Sequence, residues 1–530
     1  MRCIAHLDMD CFYAQVEAVR LGIDCRTEPY ILSQWGNLIA VNYPARQCGI
    51  ARFNTVKEAR EKCPHVKVSH VATYAVGEAE YKYHDNPQKG THKVALEPYR
   101  EASRHIFNIL RSFDGVELEK GSVDEAYLDV TVAAEQVKES VMMQSTKPLS
   151  SLEDIMEPST RVIVNRQEEI NAWFKERGKN FNELFDSSLH PLPNLENILL
   201  LGAASRVVWK IRQRIREELH YDCSAGIAHN KLLAKCISSR HKPNQQTVLV
   251  PSCVASAIWD TPFREIRGFG GKYGESVRHA CGGVELCREA WLVPKEVLKV
   301  LLGDDSADYT YRRLRCYDEE KITKRSISKT LMASKVFNPP TSLAEGVKKW
   351  ITVLSSELCG RYKEFCNTYN AKGHTLNVKL GNRGLSHLSN VLNRTLALPE
   401  LVTIETLVDA TMQFVINTLS EHHGMKINAV TLTIGSFKEK INDDGVKHGQ
   451  QMVLTSFFAK KGAEKRDRNK SNEATAITIS SSLSRSSSSS LCSSSSSSSA
   501  EYLKQQQVSN KEVVNLEEEQ NTEKEVIFID

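Results

Sequence analysis

The chain has 530 residues, 41% of them apolar and 25% charged, the balance of a water-soluble globular protein long enough for several domains. Its 69 basic and 65 acidic residues leave a net charge of +4, too little to mark a nucleic-acid binder, so any basic surface is expected to be local. No apolar run is long enough to span a bilayer, no secretory signal is expected, and the 14 scattered cysteines show no paired CxxC spacing, which predicts reduced thiols in an intracellular protein.

In chain order, residues 3–8 are expected to form a strand and 13–20 the helix after it. LIAVN (38–42) reads as a second strand, and TVKEAREK (55–62) as a helix that stops before Pro64. A long amphipathic helix is predicted over 96–113 and a strand over 127–130. Residues 137–203 look like an insertion, polar and irregular at first, then helical around 171–177; a helix is expected over 204–218. Between Arg325 and Phe437, the strand-like stretches TLNVKL (375–380) and INAVTLTIG (427–435) alternate with helical segments at 342–362 and 404–419, which suggests a small α+β domain. From Asn442 onward the texture changes. The serine run between Ser480 and Ser499 buries too little apolar area to offset its ordering entropy, so the tail is expected to be disordered.

Two acid clusters carry the chemistry. HLDMDCFY holds Asp8 and Asp10, and SVDEAYLD holds Asp124, Glu125 and Asp129. Both sit in short apolar runs, so carboxylates are being placed at the edge of a sheet. Crowded carboxylates repel unless cations neutralise them. Mg²⁺ takes oxygen ligands and bridges protein carboxylates to phosphates, and two such ions about 4 Å apart serve enzymes that exchange one phosphate oxygen for another. Asp8 and Asp10 stand at the spacing of one strand face. Asp124 and Glu125 are adjacent and need a bend to act together.

The ordered motifs LDMDCFYAQVE, LIAVNYPARQCGIAR, HKVALEPYR, SVDEAYLD, CSAGIAHNKLLAK, HKPNQQT and IRGFGGKYG make the chain resemble the Y-family translesion DNA polymerases over residues 1–440, most closely their eukaryotic eta branch. The resemblance implies an α+β multidomain right hand. Its parts would be a palm (1–16 and 73–249, with the insertion at 137–203), fingers (17–72), a helical thumb (250–324), a small α+β little-finger domain (325–441) and a disordered regulatory tail (442–530). It also implies a DNA-directed DNA polymerase without proofreading that copies damaged template, such as ultraviolet pyrimidine dimers, in the nucleus. The narrower alternatives are a different lesion preference, or a mainly non-catalytic scaffold at the sliding clamp.

By this resemblance Asp8 and Asp124 would bind both Mg²⁺ ions, Glu125 the ion beside the primer hydroxyl, and the Met9 carbonyl would add a ligand; Asp10 would be support. Tyr43, Arg46 and Lys242 match the triphosphate contacts, with Arg46 suited to a forked contact and Lys242 to a point charge. Tyr13 would be the steric gate that selects deoxynucleotides. Arg52 would reach over the incoming base and Gln34 would touch the template. The glycine-rich turn with Gly270, Gly271 and Lys272 would meet the DNA backbone. Lys231 and Lys235 are expected to face DNA, and Lys329 and Lys335 to contact phosphate. In the tail, Gln451, Leu454, Phe457 and Phe458 fit the Q-x-x-L-x-x-F-F box that binds the sliding clamp PCNA. KKGAEKRDRNK reads as a nuclear-import signal or extra phosphate binding, and VVNLEEE and EVIFID as SUMO-binding motifs. The tail's His448 and Cys492 are too few for a zinc finger. The implied partners are primer–template DNA, dNTP, the clamp and SUMO or a SUMOylated protein, with no membrane and a monomeric catalytic core.

Overall fold

The strand Ile4–Met9 is an interior strand of the main sheet, and its alternation sets which side chains face the core and which face the site. Cys3, Ala5, Leu7 and Met9 point into a large apolar core, while His6 and Asp8 take the opposite face. Its neighbour Glu125–Asp129 repeats the pattern, with Ala126 and Leu128 in the core and Glu125 and Tyr127 across from it. In the computed structural model these strands belong to a six-stranded mixed sheet. Its order is Arg161–Val162, Gln246–Val248, Cys223–Ala228, Ile4–Met9, Glu125–Asp129, Glu117–Lys120.

Helices Glu97–Arg111 and Leu195–Leu219 supply the other half of that core through residues such as Ile106, Phe107, Leu200, Val208 and Ile211. The helix Lys231–Ser238 packs on the other face so closely that a Cβ on Gly226 would collide with the backbone of Ala234 and Ser238. A separate three-stranded sheet, Asn37–Val41, Tyr30–Gln34 and Lys67–His70, has its own core around Ile31, Leu38, Val41 and Ala59. Short helices, including Gly271–Ala280, Lys295–Leu302 and Asp304–Leu314, fill the stretch after Pro251. Last comes a four-stranded antiparallel sheet, ordered Thr330–Thr341, Lys426–Gly435, Thr375–Arg383, Val391–Ala397. It packs with helices Ala344–Tyr369 and Ile404–Glu421.

The structure describes residues 1–323, 329–383 and 391–439. One compact unit takes in Met1–Tyr369 and Gly373–Lys438, and the acid clusters, the sheets and their helices all belong to it. The tail and its expected clamp, import and SUMO motifs lie outside the described residues.

The mixed α+β architecture agrees with expectation, and two boundaries need correction. Residues 137–144 complete a helix that begins at Thr131, and the helix expected from Ala204 starts at Leu195, capped by Asn194. The segment between these two helices is therefore shorter than 137–203, and the helix expected around 171–177 is present as Gln167–Glu176. The periodicity failed here because Leu199, Leu200, Leu201, Gly202, Ala203 and Ala204 are all buried, which erases the amphipathic signal.

Candidate active site

Register brings the two acid clusters together. Asp8 pairs directly with Glu125, and the backbone amide of Met9 donates to the carbonyl of Asp124 at 3.0 Å. Asp124 lies in the turn between the strands Glu117–Lys120 and Glu125–Asp129. The amides of Gly121 and Ser122 close that turn on the Glu125 carbonyl at 2.8 and 3.1 Å. The turn is the bend that adjacent Asp124 and Glu125 require.

Each acid meets a different environment. Lys242 Nζ donates to Asp8 Oδ1 at 2.5 Å and lies 3.6 Å from Asp10. Burial opposes the ammonium charge, but Asp8 and Asp10 outweigh it and hold Lys242 above its ordinary pKa. Asp124 accepts from Ser122 Oγ at 2.5 Å. Burial raises the Asp124 carboxyl and the Asp8 and Glu125 charges add to it, against the lowering effect of Ser122. Glu125 is pulled the other way. His6, whose Nε2 lies 3.6 Å away, and Lys235, which donates at 2.7 Å, hold it down at about 2. Burial pushes His6 itself below its ordinary pKa, against the opposing pull of Glu125. Asp10 is buried and turned inward, accepting from Ser224 Oγ at 3.0 Å and the Asn244 amide at 2.7 Å, an arrangement that suits support.

Asp8, Met9 and Asp124 open onto a cavity of about 780 Å³. Tyr13, Arg46, Arg52 and Lys242 line the same space. Tyr13 stacks on Tyr99 with centroids 4.0 Å apart, which fixes the ring at the cavity wall beside Phe12. Arg46 is exposed, its Nε donating to the Val41 carbonyl at 3.0 Å and its guanidinium 4.6 Å from the Tyr43 ring. Tyr43 instead lines a neighbouring cavity of about 200 Å³ with Asp10 and Cys11. Gln34 sits outside the large cavity, at the end of its strand in the hairpin made by Trp35 and Gly36. Asp8 also borders a third space of about 200 Å³, with Lys235 and Arg267 in its wall. Gly270 and Gly271 open the helix Gly271–Ala280, with Lys272 exposed and open space where either glycine would carry a Cβ.

The donor set fits a hard divalent cation: two aspartates, a glutamate and a backbone carbonyl, all oxygen, with mutual repulsion raising one member. Among the described residues no three His, Cys, Asp or Glu side chains are gathered as a metal-ligand group, and the ammonium groups of Lys242 and Lys235 stand on two of the acids.

Two lysines behave differently from expectation. Lys231 is fully buried, donating to both Glu119 oxygens at 2.9 Å and to Glu320 at 2.8 Å, so it does not face DNA. Lys235 donates to Glu125 but stays part-exposed in the wall of the space beside Asp8. Lys335 is buried over the Trp350 ring and donates to the carbonyls of Lys89 and His92 at 2.8 and 2.6 Å. Burial lowers its pKa to about 8, and it is not a phosphate contact in this arrangement. Lys329 is exposed. Sequence reasoning missed His6, Ser122 and Tyr99 as site neighbours, although all three lie inside the ordered motifs or next to them.

Residues 7–239 match the impB/mucB/samB family. Relatives extend the match. The chain is 33% identical over 69% of its length to the protein named N-acetyltransferase eso1 of Schizosaccharomyces pombe. It is 32% and 30% identical, each over 68%, to DNA polymerase eta of Arabidopsis thaliana and of Drosophila melanogaster. The chain spans 41%, 50% and 40% of the length of these three relatives.

Proposed function

We propose that the chain is a Y-family, DNA-directed DNA polymerase that extends a primer past damaged template. The observation that carries this is a single cavity that holds Asp8, Asp124, Arg46, Arg52, Lys242 and Tyr13, within a family domain whose named relatives include DNA polymerases eta. In this reading the mixed sheet is the palm, the Tyr30–His70 region the fingers, the helices after Pro251 the thumb, and the last four-stranded sheet the little finger.

Asp8, Asp124, Glu125 and the Met9 carbonyl would hold two Mg²⁺ ions. Bound there, the ions would lower the pKa of the attacking primer hydroxyl and neutralise the pyrophosphate that leaves. The remaining work falls to the chain. Lys242 exchanges Asp8 for triphosphate oxygens, and Arg46 adds a forked contact. Tyr13, backed by Tyr99, blocks space for a ribose 2′-hydroxyl. Arg52 presents its flat guanidinium to the incoming base and Gln34 touches the template. The space beside Lys235 and Arg267 suits the primer end, and the amides at Gly270 and Gly271 suit its phosphates. The clamp box at Gln451, Leu454, Phe457 and Phe458 would tether the enzyme to PCNA, with SUMO a second tail partner. The DNA substrate and the basic tail stretch support a nuclear site.

Single-nucleotide insertion opposite a thymine dimer tests the lesion assignment. Arg52→Ala is expected to weaken insertion opposite the dimer at least several-fold more than opposite an undamaged thymine. An equal loss on both templates removes the basis for an eta-like preference.

A further inference from the structure

The loop after Ile50 carries two costs at one residue. Phe53 is held at φ 75°, in the left-handed region that a side chain of its size avoids. Its side chain is also 74% exposed, the more unusual for a large aromatic. Neither results from a slack loop. The Phe53 amide donates to the Leu38 carbonyl at 3.1 Å, Leu38 to Asn54 at 2.9 Å, and Val56 to Gly36 at 3.0 Å. The Ala51 amide donates to Asn54 Oδ1 at 2.9 Å. Three hydrogen bonds thus pin the loop to the hairpin that carries Gln34, and the fourth braces the loop internally, so the ring is displayed outward. Within the protein the ring meets the Arg52 guanidinium, 5.0 Å from its centroid. Trp35 in the same hairpin is different, since its ring packs on His70 at 5.0 Å.

Position supplies the ligand. Ala51 and Arg52 form one wall of the large cavity, so Phe53 stands one residue outside it. A nucleotide with its phosphates beside Asp8 and Lys242 and its base toward Arg52 would pair with a template base near that wall. The next template base, still unpaired, would then lie beyond it. We propose that Phe53 stacks on this unpaired base, and that the hairpin at Trp35–Gly36 and the loop at Ala51–Thr55 together form a platform for single-stranded template. The inference rests on the polymerase reading and adds a binding site to it. Stacking on an aromatic ring tolerates any base, because every base has a π-face.

The test uses the full chain and primer–templates whose first unpaired base beyond the copied position is either 2-aminopurine or an abasic site. With wild type, 2-aminopurine fluorescence should be quenched on binding. Phe53→Ala should abolish the quench and weaken binding roughly fivefold or more on the base-bearing template, with no change on the abasic one. Phe53→Trp should restore both, and thermal unfolding of each variant checks that it is folded. An equal loss on the two templates would mean that Phe53 acts only through Arg52 and would overturn the platform, as would no loss on either. A wild type that binds and quenches but adds no nucleotide would remove the polymerase reading and leave the platform. A wild type that extends primers, with Phe53→Ala indistinguishable from it, would remove the platform alone.

Discussion

Asp124 and Glu125 are neighbours with opposite electrostatics, and the difference is measurable before any DNA is added. The Asp124 carboxyl is raised by burial and by the charges of Asp8 and Glu125, so its ionised form costs folding free energy at neutral pH. Asp124→Asn should therefore stabilise the metal-free protein at pH 7. That gain should shrink as pH falls through the raised value and vanish below the ordinary one near 3.8. Glu125 is held down at about 2 by His6 and Lys235, so its stabilising contribution is complete above the ordinary value near 4.5 and is lost between there and about 2. Glu125→Gln should lower stability by about 1 kcal/mol at pH 7, since the pair is part-exposed, with a penalty that fades in that acid window. Thermal unfolding across pH checks both signs. Two variants shifting in the same direction would contradict these opposed environments.

Elements decide which charges are left at the surface. In Thr330–Thr341, Leu331, Ala333, Lys335 and Phe337 share the buried phase, so the period-two pattern already places Lys335 inside; its charge suggested the wrong assignment. Lys231 sits in the first turn of a helix whose Leu232, Leu233, Ala234 and Ile237 are buried, and the sequence alone does not reveal that Glu119 and Glu320 come from far along the chain to meet it. Lys231→Ala leaves Glu119 buried beside an empty place. It should cost about 3 kcal/mol in urea unfolding, while the salt dependence of DNA binding stays as in the wild type. A shallower salt slope with unchanged stability would return Lys231 to the DNA surface.

At the scale of the whole molecule, the strands and helices that carry the acids were legible because their patterns are short, apolar and periodic. The pairing of Asp8 with Glu125 was not, since register depends on which strands meet. The insertion shows the same limit. Its aromatic content gave no hint that Phe185 packs on Trp291 with centroids 4.9 Å apart, that Arg166 reaches Asp260 at 2.6 Å, or that Arg315 donates to the Leu184 carbonyl at 2.9 Å. These contacts tie the segment to the helices after Pro251, and give it a structural place that polar composition had concealed.

The acids, the cavity and the family domain converge on one claim, that Asp8, Asp124 and Glu125 support template-directed addition of nucleotides. Primer extension with Mg²⁺, a single dNTP and an undamaged template compares the wild type with the Asp124→Asn, Glu125→Gln double variant at matched DNA occupancy. The wild type should add the complementary nucleotide, and the double variant should bind the same DNA but extend it at least about a thousandfold more slowly. A double variant that extends as fast as the wild type, or a wild type that binds primer–template and adds nothing, would contradict the claim.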